Sequence, residues 1–157
     1  MLSILTAVTR WSSGPPAEAG GSFRPDEALA RKMADLAETL AARALESSVE
    51  LDFSNESIDA AATYAMNDLA PILGRVPIRE AGALVGYLAE RLGAYIGEST
   101  RRRSGGEWGW DGADGRGRRP AVRDGSGAVS HPVDEAQGRI DVRLDSLVLF
   151  HRMFRRH

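Results

Sequence analysis

Cysteine is absent from the 157-residue chain, which removes disulfides, thiol nucleophiles, iron–sulfur clusters and cysteine zinc sites together. Histidine is scarce, three residues in all, at His131, His151 and His157. None is paired with a carboxylate at helical spacing on a central helix, so neither a metal nor a cofactor is expected. No apolar run approaches the roughly 18 residues of a membrane span. The apolar opening Met1-Leu-Ser-Ile-Leu-Thr-Ala-Val8 lacks the basic region of a secretory signal, and a cytoplasmic protein is expected. Lysine is almost missing as well, Lys32 alone against nineteen arginines. With so much Ala and Gly, that ratio reads as the codon bias of a GC-rich bacterial genome, and arginine excess alone is no signal for nucleic acid. A net charge of −2 with 27% charged residues points to neither a polyanion binder nor an acidic solvating chain.

What is present suffices for one folded unit, since 43% of the residues are hydrophobic. Residues 1–24 are expected to form a flexible leader: positions 11–24 are rich in Gly, Pro and Ser and show no period. A single domain is expected over 25–157. Pro25-Asp-Glu27 opens a first helix, with Leu29, Met33, Leu36, Leu40 and Leu45 recurring mostly at steps of three and four to about Ser48. Val49-Glu-Leu-Asp-Phe53 alternates and reads as a short strand or an extended connection. Ser54 caps a second helix with Ile58, Ala61, Ala62, Ala65 and Leu69 on its buried side, ended by Pro71, Gly74 and Pro77.

A third helix is expected from about Ile78 to Arg103, with Leu84, Leu88, Leu92, Tyr95 and Ile96 on one side. It contains Gly82, Gly86, Gly93 and Gly97, each costing about 1 kcal/mol relative to alanine in a helix interior. Close packing usually offsets such a cost, which makes this the expected central helix. Beyond Ser104 the pattern changes to short alternating runs. Glu107–Asp111, Pro120–Asp124 and Ala128–Val133 read as an antiparallel meander, in which Trp108 and Trp110 share one face. Two short helices follow, Asp134–Arg143 and Asp145–Arg156. The fold class is therefore α+β: three N-terminal helices, a small antiparallel meander and two short C-terminal helices.

The small net charge hides an asymmetry. Residues 1–100 carry 8 bases and 14 acids, and residues 101–157 carry 12 bases and 8 acids. Arg101-Arg-Arg103, Arg116-Gly-Arg-Arg119 and the tail from Arg152 form the basic groups. Beside the Trp pair they make a candidate phosphate-binding surface. In the plainer reading Arg101–Arg103 complement a helix dipole and the others belong to a loop and a solvated end.

Catalytic patterns are thin. Gly125-Ser-Gly127 is a hairpin turn rather than a nucleophile elbow, and no Gly-Lys-Ser/Thr phosphate loop occurs. Glu98 stands near a helix C-terminus, where an acid is unfavourable unless paired. It is either a general base or cation ligand with a raised pKa, or the partner of Arg101 or Arg102 at three- and four-residue spacing.

Several separated segments, Leu51-Asp-Phe-Ser-Asn-Glu-Ser57, Leu92-Gly-Ala-Tyr-Ile-Gly-Glu98, Arg101-Arg-Arg103, Gly105-Gly-Glu-Trp-Gly-Trp-Asp111, His131-Pro132 and Asp145-Ser-Leu-Val148, together resemble a family of small uncharacterised bacterial proteins, mostly actinobacterial. The resemblance covers about residues 50–155 and departs from the family pattern at Asp141-Val-Arg-Leu-Asp145. It implies a shared fold, a bacterial cytoplasmic setting, and that Gly93, Gly97, Glu98, Gly106 and Trp108 belong to the pattern; it carries no activity. On this reading Gly93 and Gly97 let the Trp108 strand approach the helix, and Glu98 accepts from an indole N–H or an arginine. The function expected is binding of another protein without catalysis, as an immunity-type or accessory factor. Glu98, Arg101, Arg102, Trp108 and Trp110 are the candidate interaction residues. The alternatives are nucleic-acid binding through the basic half and a small hydrolase-like enzyme using Glu98.

Overall fold

A computed structural model of the chain describes residues 22–73, 75–112 and 117–154. Among the described residues the expected mixture of helix and sheet is present as four helices and one four-stranded antiparallel sheet. The leader lies almost wholly outside the described residues.

The chain enters as a strand rather than a helix. Arg24–Pro25 (β1) pairs with the later Trp strand, Arg24 opposite Trp110 and Pro25 opposite Gly109. Proline, which has no N–H to give to a ladder, is tolerated on such an edge. The first helix, α1 (Glu27–Glu46), therefore starts two residues beyond Pro25, with Asp26 as its cap, accepting from the Leu29 N–H at 2.9 Å. Leu29, Met33, Ala37, Leu40 and Ala44 are its buried stripe, while Leu45 is exposed.

Val49–Phe53 is an extended connection and not a strand. Phe53 has φ +61°, a left-handed conformation unusual for a bulky residue. It is held there by its own N–H, which donates to the Tyr95 hydroxyl at 2.9 Å, and by stacking of its ring on Tyr95. Ser54 accepts from the Ser57 N–H at 3.2 Å and starts α2 (Ser57–Leu73). Pro71 does not end this helix but lies exposed in its last turn. The expected stop at Gly74 falls outside the described residues.

The glycine-bearing helix is α3 (Ile78–Ser104), closed by Gly105 at φ +69°, whose N–H bonds the Arg101 carbonyl. Strands β2 (Glu107–Asp111), β3 (Arg119–Arg123) and β4 (Val129–Ser130) complete a sheet ordered β1-β2-β3-β4. Trp108 pairs with Val122, and both are buried against the helices. The third strand is shorter than expected because Pro132 begins α4 (Pro132–Phe154), a position where its missing N–H costs nothing. One continuous helix replaces the two short ones: from Arg139 to Phe154 no Gly or Pro interrupts it.

Gly93 lies against Val133 and Gly97 against Pro132, so the end of α3 meets the start of α4. Arg139 bonds Asp59 and Arg143 bonds Thr63, which runs α4 in the same direction as α2. The core joins α1–α4 to the Trp108 side of the sheet. Among the described residues, no helix is long and apolar enough to cross a membrane.

Candidate functional site

Glu98 sits in the last two turns of α3 and is fully buried. Its carboxylate accepts four hydrogen bonds. Arg101 reaches both oxygens, Nε to Oε1 at 2.8 Å and Nη2 to Oε2 at 3.1 Å; Arg102 Nε donates to Oε2 at 3.1 Å, and the Trp108 indole N–H to Oε1 at 2.9 Å. Two of these partners follow from helical spacing. The third comes across the sheet, because Gly97 carries no Cβ: one added there would collide with the Trp108 ring.

Burial raises the Glu98 pKa, but hydrogen bonds from Arg101, Trp108 and Arg102 outweigh it and hold the carboxyl below its ordinary 4.5. The group is an ionised acceptor with its oxygens engaged, which counts against the general-base role. Arg102 extends the network. It donates to Glu38 of α1 at 2.5 Å and lies 3.7 Å from the Phe53 ring centre. Phe53 stacks on Tyr95, whose hydroxyl is 2.6 Å from the Ser57 hydroxyl. One buried carboxylate thus ties α3 to β2 and α1, and through Arg102 and Phe53 to the start of α2.

Of the candidate interaction residues, Glu98, Arg101, Arg102 and Trp108 are brought together, with Trp108 only 1% exposed. Trp110 is separate: its indole donates to Asp26 Oδ2 at 3.1 Å. An interface needs accessible side chains, so Glu98 and Trp108 serve the interior, while Arg101, Arg102 and Trp110 keep partial exposure. A shallow groove of about 350 Å³ runs beside Arg101, lined by Asp26, Ala30, Ala34, Arg101 and Trp108 among others.

Among the described residues five arginines of the basic half are paired with acids. Besides Arg101 and Arg102, Arg119 pairs with Asp134, Arg123 with Glu107, and Arg139 with Asp59 and Glu135. Arg103 donates to the Ser99 carbonyl. Arg116 and the C-terminal Arg155 and Arg156 lie outside the described residues.

His131 and Glu98 belong to different networks. His131 Nε2 is 2.6 Å from Asp111 Oδ2, and Asp111 Oδ1 accepts from the Ser22 hydroxyl at 3.0 Å. Burial raises the Asp111 pKa, but hydrogen bonds from His131 and Ser22 outweigh it and hold the carboxyl below its ordinary range. This pair fastens the end of β2 to the start of α4. Sequence reasoning missed it; the signal available was an acid ending the Trp strand and a histidine preceding the helix-opening proline. Among the described residues no cluster of three or more His, Asp or Glu side chains forms a metal site.

The outward side of α3 in its first half offers a different kind of surface. A Cβ placed on Gly82 or Gly86 would meet no described atom within 4 Å, and Ala83 and Tyr87 beside them are exposed. Ile72, in the last turn of α2, is exposed too. Close packing was expected for all four glycines, and among the described residues it is found at Gly93 and Gly97 but not at these two.

Comparison of the chain with protein-family models, with curated protein sequences and with solved structures returned no match.

Proposed function

We propose that this chain is a protein-binding domain without catalytic chemistry, an accessory or immunity-type factor of the bacterial cytoplasm, and that its partner docks on the outward face of the first half of α3. One observation carries the reading. Gly82 and Gly86 each cost the helix about 1 kcal/mol relative to alanine, yet no described atom uses the space they leave open. The gain that offsets them is placed outside the chain, in a partner whose helix or loop approaches the bare backbone. Exposed Tyr87 and Ile72 at the same end supply apolar anchors.

Two further features support this against the alternatives. The engaged, ionised Glu98 has no free oxygen with which to take a substrate proton, and five arginines in the described part of the basic half already hold acids of this chain, which reduces the charge left for phosphates.

The experiment is crosslinked capture from a bacterial host with tagged wild-type chain, the Gly86→Leu variant and the Arg118→Glu variant. Gly86→Leu fills open space and is expected to keep the fold while losing the captured protein; Arg118→Glu is expected to keep both. Capture that survives Gly86→Leu and fails with Arg118→Glu moves the partner to the sheet side and rejects this face.

A further inference from the structure

We infer that the occupant of this face is a second copy of the same chain, paired antiparallel through α3. The inference rests on the proposed docking face and names what covers it.

Arg79, Ala83, Gly86 and Glu90 follow one another at steps of four, three and four. At 100° per residue they fall within about 60° of one another, the spacing of a helix–helix seam. Arg79, Ala83 and Gly86 are exposed and Glu90 is half-buried, whereas Leu88 and Leu92, on the other side of the same turns, are in the core. The seam is therefore the side that the described residues leave uncovered.

Its sequence is complementary to itself when reversed. An antiparallel pairing centred between Leu84 and Val85 sets Arg79 opposite Glu90 of the second copy and Ala83 opposite its Gly86, each contact occurring twice by symmetry. A parallel pairing would set Arg79 on Arg79 and Glu90 on Glu90, two like-charge contacts. Charge thus selects the antiparallel arrangement, which also opposes the two helix dipoles. Glu90 already holds Lys32 at 2.5 Å, and Arg79 of the second copy would join that pair from the outer side. The open space over Gly86 permits the close end of the usual interaxial range, about 8 Å. Tyr87 lies on a shoulder of the seam, its ring backed by the Arg91 guanidinium at 3.1 Å from the centroid. A seam of about three helical turns is short of the ~1,200 Å² of a stable complex, so the association is weak and depends on concentration.

Sedimentation equilibrium of the full chain, from about 10 µM to about 1 mM, covers the range in which such an interface fills by mass action. Wild type is expected to dimerise across it. Gly86→Leu, which interposes a side chain between the backbones, is expected to stay monomeric with an undiminished melting temperature. Arg79→Glu, which faces Glu90 of the second copy with a like charge, is expected to weaken the dimer about tenfold or more. A wild-type chain that stays monomeric at the highest concentration overturns self-pairing, as does a dimer indifferent to both substitutions. The wider reading fails separately. If the chain is monomeric but Gly86→Leu abolishes capture of another protein, the face stands and its occupant is that protein; if Gly86→Leu alters neither dimer nor capture, both proposals fall.

Discussion

The two halves of α3 carry the same sequence signal and put it to different use. Gly82, Gly86, Gly93 and Gly97 fall within about 60° on the helical wheel, one stripe on a helix of 27 residues. In the second half every residue from Leu92 to Ser99 is buried. There Val133 lies over Gly93, and Trp108 and Pro132 lie over Gly97. In the first half nothing described lies over the stripe, and Gly82, Ala83, Gly86 and Tyr87 face outward. A glycine in a helix costs about the same wherever it sits. What offsets the cost is backbone approach, and only the second half shows what approaches. The comparison moves the question of function from the conspicuous Glu98–Trp108 cluster, which is committed to the interior, to the plain surface at the other end of the helix.

The sharpest way to break the comparison is in the buried half. Trp108→Ala removes the ring that fills the space over Gly97 and the indole bond to Glu98. Chemical denaturation is expected to show a loss of about 3–5 kcal/mol. Trp108→Phe, keeping most of the ring, is expected to lose less, chiefly through the lost indole hydrogen bond to Glu98. A loss below about 1 kcal/mol for Trp108→Ala would mean that the ring is not the keystone of this contact.

Gly97→Ala and Gly93→Ala test the same half from the helix side. At Gly93 the new methyl would stand 2.5 Å from the Val133 Cα, a backbone atom. At Gly97 it would run into an enclosed indole that has no room to turn aside. Each is expected to cost about 1–3 kcal/mol, toward the upper end, despite alanine's better helix propensity. Stabilisation by either would show that α4 or β2 can withdraw without penalty.

Glu98 gives the comparison a pH signature. Its folded pKa lies below the ordinary 4.5, so the unfolded chain binds the proton more readily. The stability it contributes is fully present above about 4.5, the unfolded value, and is lost as pH falls through the lower folded value. Glu98→Gln is expected to cost about 2 kcal/mol at neutral pH. Asp26, Asp52, Asp111 and Asp124 are also held below their ordinary range and steepen acid unfolding in both proteins. The diagnostic is thus the difference between wild type and variant, which should shrink as the pH is lowered. Melting curves with a gap that widens toward acid would show a Glu98 that is protonated and not paired.

The sequence made the helices legible where the apolar period was long and its ends carried caps, as in Leu29–Ala44 and at Ser54. Glu98 with Arg101 and Arg102 was legible because three- and four-residue spacing fixes which side chains meet on a helix. Glycine opposite a Trp strand suggested the Trp108 contact. Three features were not legible for a common reason, that their partners are distant in the chain. Pairing of β1 needs Trp110, more than eighty residues later; the left-handed Phe53 is stable only with Tyr95 and Arg102 around it; and His131 is oriented by Asp111. The break expected between Arg143 and Asp145 does not occur, because no Gly or Pro stands there to end the helix. The glycine stripe was legible as a stripe, but periodicity cannot say whether its cover lies inside the chain.

The smallest expected effect bears on that cover. Gly82→Ala and Gly86→Ala add methyl groups where no described atom stands within 4 Å. Each is expected to stabilise the isolated chain by about 0.5–1 kcal/mol, the reverse of the same change at Gly93 and Gly97. Were the effect only on stability, the double variant would be better in every respect. If the stripe is a contact surface, the two methyl groups hold the approaching backbone away, and the variant gains thermal stability while losing dimer or captured partner. Measuring the melting temperature and the association of the same preparation separates the cases. A gain in stability with association unchanged would leave the first-half glycines without a use, and α3 would then be a helix with one working half.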